Sequence, residues 1–216
     1  MTHPRVLLFD LGGVLVESAG LRELPRLLDQ PVPAAELRAR WIASPAVLRF
    51  ETGACQPDEF AAEFLAEWGL GLDPAQFLVH FRAWVAGPYP GIPQLLSVLR
   101  SRYMLACLSN TNAVHWEKVL GMDGLVQAFD RCFVSHELGV MKPSPAIYAH
   151  VVRELGCAAG EIAFFDDGQD NIDAAAEAGM SAHLTVGPDH LRSVLRQLGA
   201  LEPAGSGSNG NTINPS

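Results

Sequence analysis

Hydrophobic and polar positions fall into two textures along the chain. Val6–Phe9 is a run of four apolar residues, which predicts a strand buried on both faces. It ends on the charged Asp10, and Gly12 and Gly13 follow. From Ser18 to Ala86 the pattern turns helical. Leu21–Leu28, Ala34–Ile42 and Asp58–Trp68 carry apolar residues at three- and four-residue spacing, punctuated by Pro31, Pro33, Pro45, Pro57 and Pro74. Asp58 and Asp73 stand where N-caps or first-turn acids belong, and no strand pattern is visible in this stretch.

After Pro88-Tyr89-Pro90-Gly91 the texture alternates. Helices are predicted over Pro93–Ser101, Ala113–Leu120, Pro145–Leu155, Ile172–Ala178 and His190–Leu198, and strands over Met104–Leu108, Cys132–Val134, Ile162–Phe165 and Ala182–Val186. Strands alternating with helices of this length predict an α/β fold: a Rossmann-like, doubly wound parallel sheet with a small all-helical cap inserted after the first strand. Residues 1–17 and 87–200 are assigned to the core and 18–86 to the cap. Residues 201–216 are expected to be a disordered tail, because "GSGSNGN" has nothing with which to bury a core.

Composition narrows the function classes. The chain has 216 residues, 49% hydrophobic, and a net charge of −9, which disfavours nucleic acid or an anionic membrane as partner. A local positive pocket for an anion stays open. No run approaches the ~20 apolar residues of a membrane span, and the apolar run after Arg5 is shorter than the ~7–15 residues of a signal core. Cys55, Cys107, Cys132 and Cys157 are scattered without a C-x-x-C, so reduced thiols and a cytoplasmic location are expected. The histidines show no ligand spacing, and Trp41, Trp68 and Trp84 are expected to anchor helix packing. Lysine is rare, Lys118 and Lys142 being the two in the chain.

Four polar clusters follow predicted strands: Asp10; Ser109-Asn110-Thr111-Asn112; Lys142 in "GVMKPSP"; and Asp166-Asp167 in "FFDDGQDNIDAA". Parallel strands put their carboxyl ends on one edge, where ligands bind, so these clusters are expected to meet there. Lys142, farther from its strand than the others, is the least tightly placed. Asp10, Asp166 and Asp167 would repel one another unless a cation sat among them, and hard oxygen donors suit Mg2+ finished by phosphate oxygens. Ser109 and Asn110 offer donors to an anion, and Lys142 a point charge. Asp10 can then act as a nucleophile on phosphorus, giving an aspartyl-phosphate. Gly12 and Gly13 allow backbone to approach closely there, with the Gly12 carbonyl free to face the metal.

These motifs resemble the haloacid dehalogenase-like superfamily. "FDLGGVL", "LSNTN", "MKPSPAIY" and "FFDDGQDNIDAAAEAG" are similar to its four motifs, in order, and the resemblance spans about residues 5–186. "LSNTN", "GxxKPxxxIYxH" and "FFDDxxDNI" look most like the subgroup of bacterial α-D-glucose-1-phosphate phosphatases and the phosphatase domain of soluble epoxide hydrolases. The resemblance implies Asp10 as nucleophile, with Asp10, the Gly12 carbonyl and Asp167 holding Mg2+. It implies Ser109, Asn110 and Lys142 as phosphate-binding, and Asp166 and Asp170 as supporting residues that orient waters or loops. The implied substrate is a small phosphorylated metabolite, a sugar phosphate such as a sugar 1-phosphate.

One position departs from the superfamily pattern. The aspartate two residues after the nucleophile, which protonates the leaving oxygen, is here Gly12, and the sugar-phosphate subgroup is similar in having glycine there. Glu17, Glu51 or Arg49 are candidates to substitute, and activated esters are expected to be preferred. Two other functions stay open. One is a 2-haloacid dehalogenase-type hydrolase needing no metal, against which the Asp166-Asp167 doublet stands. The other is a catalytically weak phospho-ligand-binding or interaction protein.

Overall fold

In the computed structural model, residues 3–28 and 31–202 are described. The first strand, β1 (Val6–Phe9), leads into β2 (Val16–Ser18) and five helices: α1 (Gly20–Glu23), α2 (Ala34–Ala43), α3 (Pro45–Glu51), α4 (Pro57–Trp68) and α5 (Pro74–Ala83). Then come β3 (Val85–Pro88), α6 (Ile92–Leu99), β4 (Met104–Ser109), α7 (Ala113–Leu120), β5 (Arg131–Val134), α8 (Ser135–Leu138) and α9 (Pro145–Leu155). The chain continues with β6 (Ile162–Asp166), α10 (Gln169–Glu177), β7 (Ser181–Leu184) and α11 (Gly187–Gln197).

Five strands form one parallel sheet in the order β5-β4-β1-β6-β7. Period-two alternation splits the sheet residues between two cores. Leu7, Phe9, Cys107 and Phe165 face α6, α7 and α11, where Leu96, Trp116 and Leu191 cover them. Val6, Leu8, Leu108 and Phe164 face α9 and α10, where Ile147, Tyr148 and Ile172 lie. Helices on both faces explain why β1 is apolar at every position: all four of its residues are buried. The chain builds leftward from β1 through β4 to β5 and then returns to the other side of β1 with β6. The point of reversal opens a crevice at the carboxyl edge.

Helices α1–α5 have a core of their own. Phe50, Phe60, Phe64, Phe77 and Phe81 are buried together, with Phe50 stacked on Phe60 at 4.2 Å between ring centres. Local chemistry starts these helices as expected. The Ser44 hydroxyl accepts from the Val47 amide at the start of α3, and the Asp73 carboxylate from the Gln76 amide at the start of α5. Asp58 sits in the first turn of α4, where the helix dipole favours an acid.

Three expectations are revised. The segment expected to be wholly helical ends in β3, paired antiparallel with β2 through Val16–Pro88 and Ser18–Val85. Strands of three and four residues carry too little alternation to show in sequence and exist because they pair. Leu21–Leu28 is broken at Pro25 into one α-turn and one 3-10 turn, since proline cannot donate within a helix. Leu201, assigned by composition to the tail, packs against the core, and its amide donates to the Leu195 carbonyl. The rest of the tail, residues 203–216, lies outside the described residues. All four cysteines are free, Cys132 and Cys157 being only partly buried. Among the described residues no helix is long and apolar enough to cross a membrane.

Candidate active site

The four polar clusters do converge. Asp10 follows β1, and its amide donates to the Phe165 carbonyl at 2.8 Å, so the strand pairing itself fixes its backbone beside β6. Lys142 is 3% exposed, and its Nζ lies 2.9 Å from Asp10 Oδ1 and 2.5 Å from Asp166 Oδ2. Oxygens of Asp10, Asp166 and Asp167 lie within 4.8 Å of one another. Lys142 and Asp167, with helices α2 and α3, line a cavity of about 450 Å³, the size of a small-ligand site.

Each carboxylate is placed differently. Asp166 is fully buried; its Oδ1 accepts from the Gly168 amide at 2.8 Å and from Asn171 Nδ2 at 2.9 Å, while Oδ2 takes the lysine. Both of its oxygens are therefore engaged, which makes it the anchor for Lys142. Asp167 is half-buried and turns its carboxyl against Gly13. Gly13 has φ 75°, and a Cβ there would overlap Asp167 Oδ2, so glycine is required on both counts. Gly12 lines the cavity beside it.

One ammonium thus faces three carboxylates. Burial pushes the Asp10 carboxyl upward; Lys142 opposes this, and Asp166 and Asp167 add to it. Burial raises Asp167 as well, with Asp166 adding and Lys142 and Arg38 opposing. Burial alone would discharge Lys142, but Asp10 and Asp166 outweigh it, and its ammonium is held more firmly than that of a free lysine. A set of hard oxygen donors with surplus negative charge fits a divalent cation.

The remaining predicted residues sort as follows. Ser109, the last residue of β4, is buried and lines the cavity. Asn110 lines the cavity, and its side chain engages the backbone of Lys142. Its Oδ1 accepts from the Lys142 amide at 2.8 Å and its Nδ2 donates to the Lys142 carbonyl at 2.9 Å. This two-point clamp is what holds the loop after α8 in place, so Asn110 positions Lys142. Asp170 lines the cavity from the first turn of α10 and is exposed. Neither it nor Asn171 caps α10 through its side chain, since that helix begins at Gln169, three residues earlier than its apolar pattern suggests.

Two positions carried little signal in the sequence. Ser135 ties the loop after β4 to the end of β5: Thr111 N donates to its Oγ at 2.9 Å, and its hydroxyl donates to the Thr111 carbonyl at 3.0 Å. Its one cue is its place directly after the β5 run. His115 joins the helical layer to the sheet. It stacks on Phe81 with centroids 4.1 Å apart; Nε2 lies 2.7 Å from the Phe81 carbonyl and Nδ1 3.2 Å from Asn112 Nδ2.

Burial pulls His115 down from 6.5 to about 4, so the folded chain holds it neutral. Below pH 6.5 the unfolded chain binds this proton and the folded one does not. Its contribution to stability is therefore complete above 6.5 and falls as the pH drops toward 4, by up to ~3 kcal/mol. Urea denaturation of wild type and His115→Gln should show curves that diverge at pH 7 and draw together by pH 4.5. A constant difference would show that this histidine is not buried neutral.

Comparison with known proteins agrees with this geometry. A haloacid dehalogenase-like hydrolase model matches residues 4–179. The sesquiterpene phosphatase astK of Aspergillus oryzae is 27% identical over 185 residues, 84% of this chain and 90% of that protein. Phosphatase MT3486 of Mycobacterium tuberculosis is 27% identical over 205 residues, 90% of this chain and 94% of the other. Among solved structures, the HAD family enzyme bt-2542 of Bacteroides thetaiotaomicron, in complex with magnesium and inorganic phosphate, superposes with a TM-score of 0.68 at 25% identity, covering 84% of this chain and 94% of that one. The match runs from the strand that presents Asp10 to the end of the helix behind Asp167, and on that ground the chain belongs to the haloacid dehalogenase-like hydrolase family.

Proposed function

We propose that this hydrolase is a magnesium-dependent phosphatase that cleaves a small phosphorylated metabolite through an aspartyl-phosphate on Asp10. The observation that carries this reading is the meeting of Asp10, Asp167 and Lys142 in one cluster beside the cavity that Lys142 and Asp167 line, with Asp166 and Asn110 holding the lysine. Two relatives named as phosphatases and a structural neighbour that holds magnesium and phosphate support it.

Asp10, Asp167 and the Gly12 carbonyl would hold the ion. When bound, magnesium would supply positive charge that offsets these carboxylates and stabilises charge on the phosphoryl group. Lys142 orients the Asp10 carboxylate and faces the phosphoryl group, and Ser109 donates to it. The free oxygen of Asp10 attacks phosphorus in line with the leaving oxygen, and water then releases phosphate from the aspartyl group. Residues 18–86, acting as a cap, cover the cavity from above and exclude bulk water during the reaction. A dehalogenase reading explains less, because carbon attack leaves Asp167 without a cation to hold.

Two substrate classes suit the site. A sugar 1-phosphate has a leaving group that departs readily, which suits the glycine at position 12. The cavity wall, however, is apolar where Trp41, Ile42, Val47, Leu48 and Trp84 line it, and a flat or branched hydrocarbon leaving group would cover that surface. Sesquiterpene phosphatase is also the name of one relative. The test is a panel of a sugar 1-phosphate, its 6-phosphate isomer and a prenyl monophosphate, assayed with magnesium and with chelator. Turnover is expected to vanish on chelation. A preference for the 6-phosphate over both others sinks both substrate readings, and undiminished turnover in chelator sinks the magnesium reading.

Gly13→Ala tests the metal cradle separately. Its Cβ pushes the Asp167 carboxyl aside, so calorimetric magnesium affinity should fall on the order of 10–100-fold. An unchanged affinity would place the ion elsewhere.

A further inference from the structure

Of the three residues that could replace an acid at position 12, two are turned away from the chemistry. Glu17 is half-buried, does not line the cavity and pairs with Arg22 at 3.0 Å. Arg49 pairs with Glu63 and also donates to the Ala54 carbonyl. Glu51 lines the cavity with Lys142, Gly12 and Asp167 and is 9% exposed. Among the described residues, no hydrogen bond or ion pair engages its carboxyl.

Its direction is set from both sides. Phe50, its neighbour in α3, is locked in the stack with Phe60. Gly53, two residues on, lies at φ 70° against the His136 backbone carbonyl of α8, with no room for a Cβ. The last turn of α3 is therefore pinned between the helical core and the sheet side of the site. Burial raises the Glu51 carboxyl to about 7, with Lys142 opposing and Asp10 adding. It can hold a proton at neutral pH and give it up.

Of the other titratable groups on the wall, Arg38 and Asp170 are exposed, unlike Glu51, and the rest are already committed. Lys142 is fixed between Asp10 and Asp166, and both ring nitrogens of His115 have partners. Asp167 belongs to the acidic cluster.

We infer that Glu51 is the general acid and base of this site, supplied from the helical layer where the loop after β1 offers only Gly12. The inference rests on the phosphatase reading. In the first step an Asp10 oxygen bonds to phosphorus, the bond from phosphorus to the leaving oxygen breaks, and that oxygen takes the Glu51 proton to depart as an alcohol. In the second step the Glu51 carboxylate takes a proton from water, the water oxygen bonds to phosphorus, and the bond to Asp10 breaks. Inorganic phosphate leaves, with Asp10 ionised and Glu51 protonated as at the start. A donor in this place removes the need for an activated leaving group, so any contrast among sugar phosphates then reflects fit to the cavity.

The test is Glu51→Gln, which keeps shape and removes the proton, assayed with an alkyl phosphate and with p-nitrophenyl phosphate. For this variant kcat/KM should fall about 10²–10⁴-fold for the alkyl ester and stay within about tenfold for the aryl ester, whose leaving group needs no proton. The ratio of the two is insensitive to any misfolded fraction. With the aryl ester the variant should also stall after one equivalent, leaving a phosphoryl adduct on Asp10 visible by mass spectrometry after acid quench. An equal fall for both esters, no fall for either, or absence of the adduct overturns the assignment of Glu51 while the phosphatase reading stands. Wild type that turns over neither ester in magnesium overturns the phosphatase reading, and this inference with it.

Discussion

Asp10→Asn is expected to bring phosphate-ester turnover down to background, a loss on the order of 10⁶-fold if it matches nucleophile deletions in other hydrolases. Asparagine has the shape of aspartate but neither attacks phosphorus as a carboxylate nor binds a hard cation strongly. The fold should survive. Burial and two acidic neighbours already disfavour the charge at this position, and Lys142 keeps its 2.5 Å contact with Asp166 in the variant. Thermal melting without metal should therefore differ little from wild type, while the stabilisation that magnesium gives wild type should shrink. Steady-state assays paired with melting curves at increasing magnesium read both effects. Equal activity of the two proteins would remove Asp10 from the chemistry.

Lys142→Met should damage both stability and activity. The lysine is the ammonium shared by two buried carboxylates, so its removal leaves them without a counter-charge, at a cost of about 3–5 kcal/mol. The two-point clamp from Asn110 to its backbone stays, so the loop itself need not move. Activity is expected to fall a further 10²–10³-fold, roughly the effect of losing one donor to a developing oxyanion. Lys142→Arg should rescue little, because a planar guanidinium does not fit where a point charge sits between two oxygens. Magnesium should recover part of the lost stability, since it neutralises the same carboxylates. Urea denaturation with and without magnesium checks this; a midpoint unchanged from wild type would show that the buried acids do not depend on Lys142.

Elements with a strong apolar signature are legible in the amino-acid sequence alone. Ala113–Leu120 and Pro145–Leu155 are helices over those residues, and α2 and α4 differ from the sequence pattern by a single residue at one end. The central strands are equally plain, because a strand buried on both faces must be apolar throughout. The apolar pattern starts α10 three residues too late, since the first turn of that helix is polar and faces the cavity. The β2–β3 ribbon leaves no such trace, because its stability comes from pairing residues as far apart in the chain as Ser18 and Val85 rather than from local propensity.

The same division runs through the site. The parallel sheet and the position of the polar clusters after its strands already placed Asp10, Ser109 and Asp166-Asp167 on one edge, because hydrophobic periodicity and right-handed crossovers leave the strand ends no other place, while Lys142, eight residues past β5, was placed less tightly. Sequence therefore determined the fold class, the edge and the acidic residues gathered there. Only the tertiary structure decided what each side chain does with its hydrogen bonds. It made Asn110 the clamp on Lys142 and Asp166 the lysine's anchor, set Ser135 and His115 as ties between elements, and placed Glu51 on the cavity wall. Those outcomes depend on which polar atoms meet across tens of residues at distances near 3 Å, and no local pattern of apolar and polar positions encodes such distances.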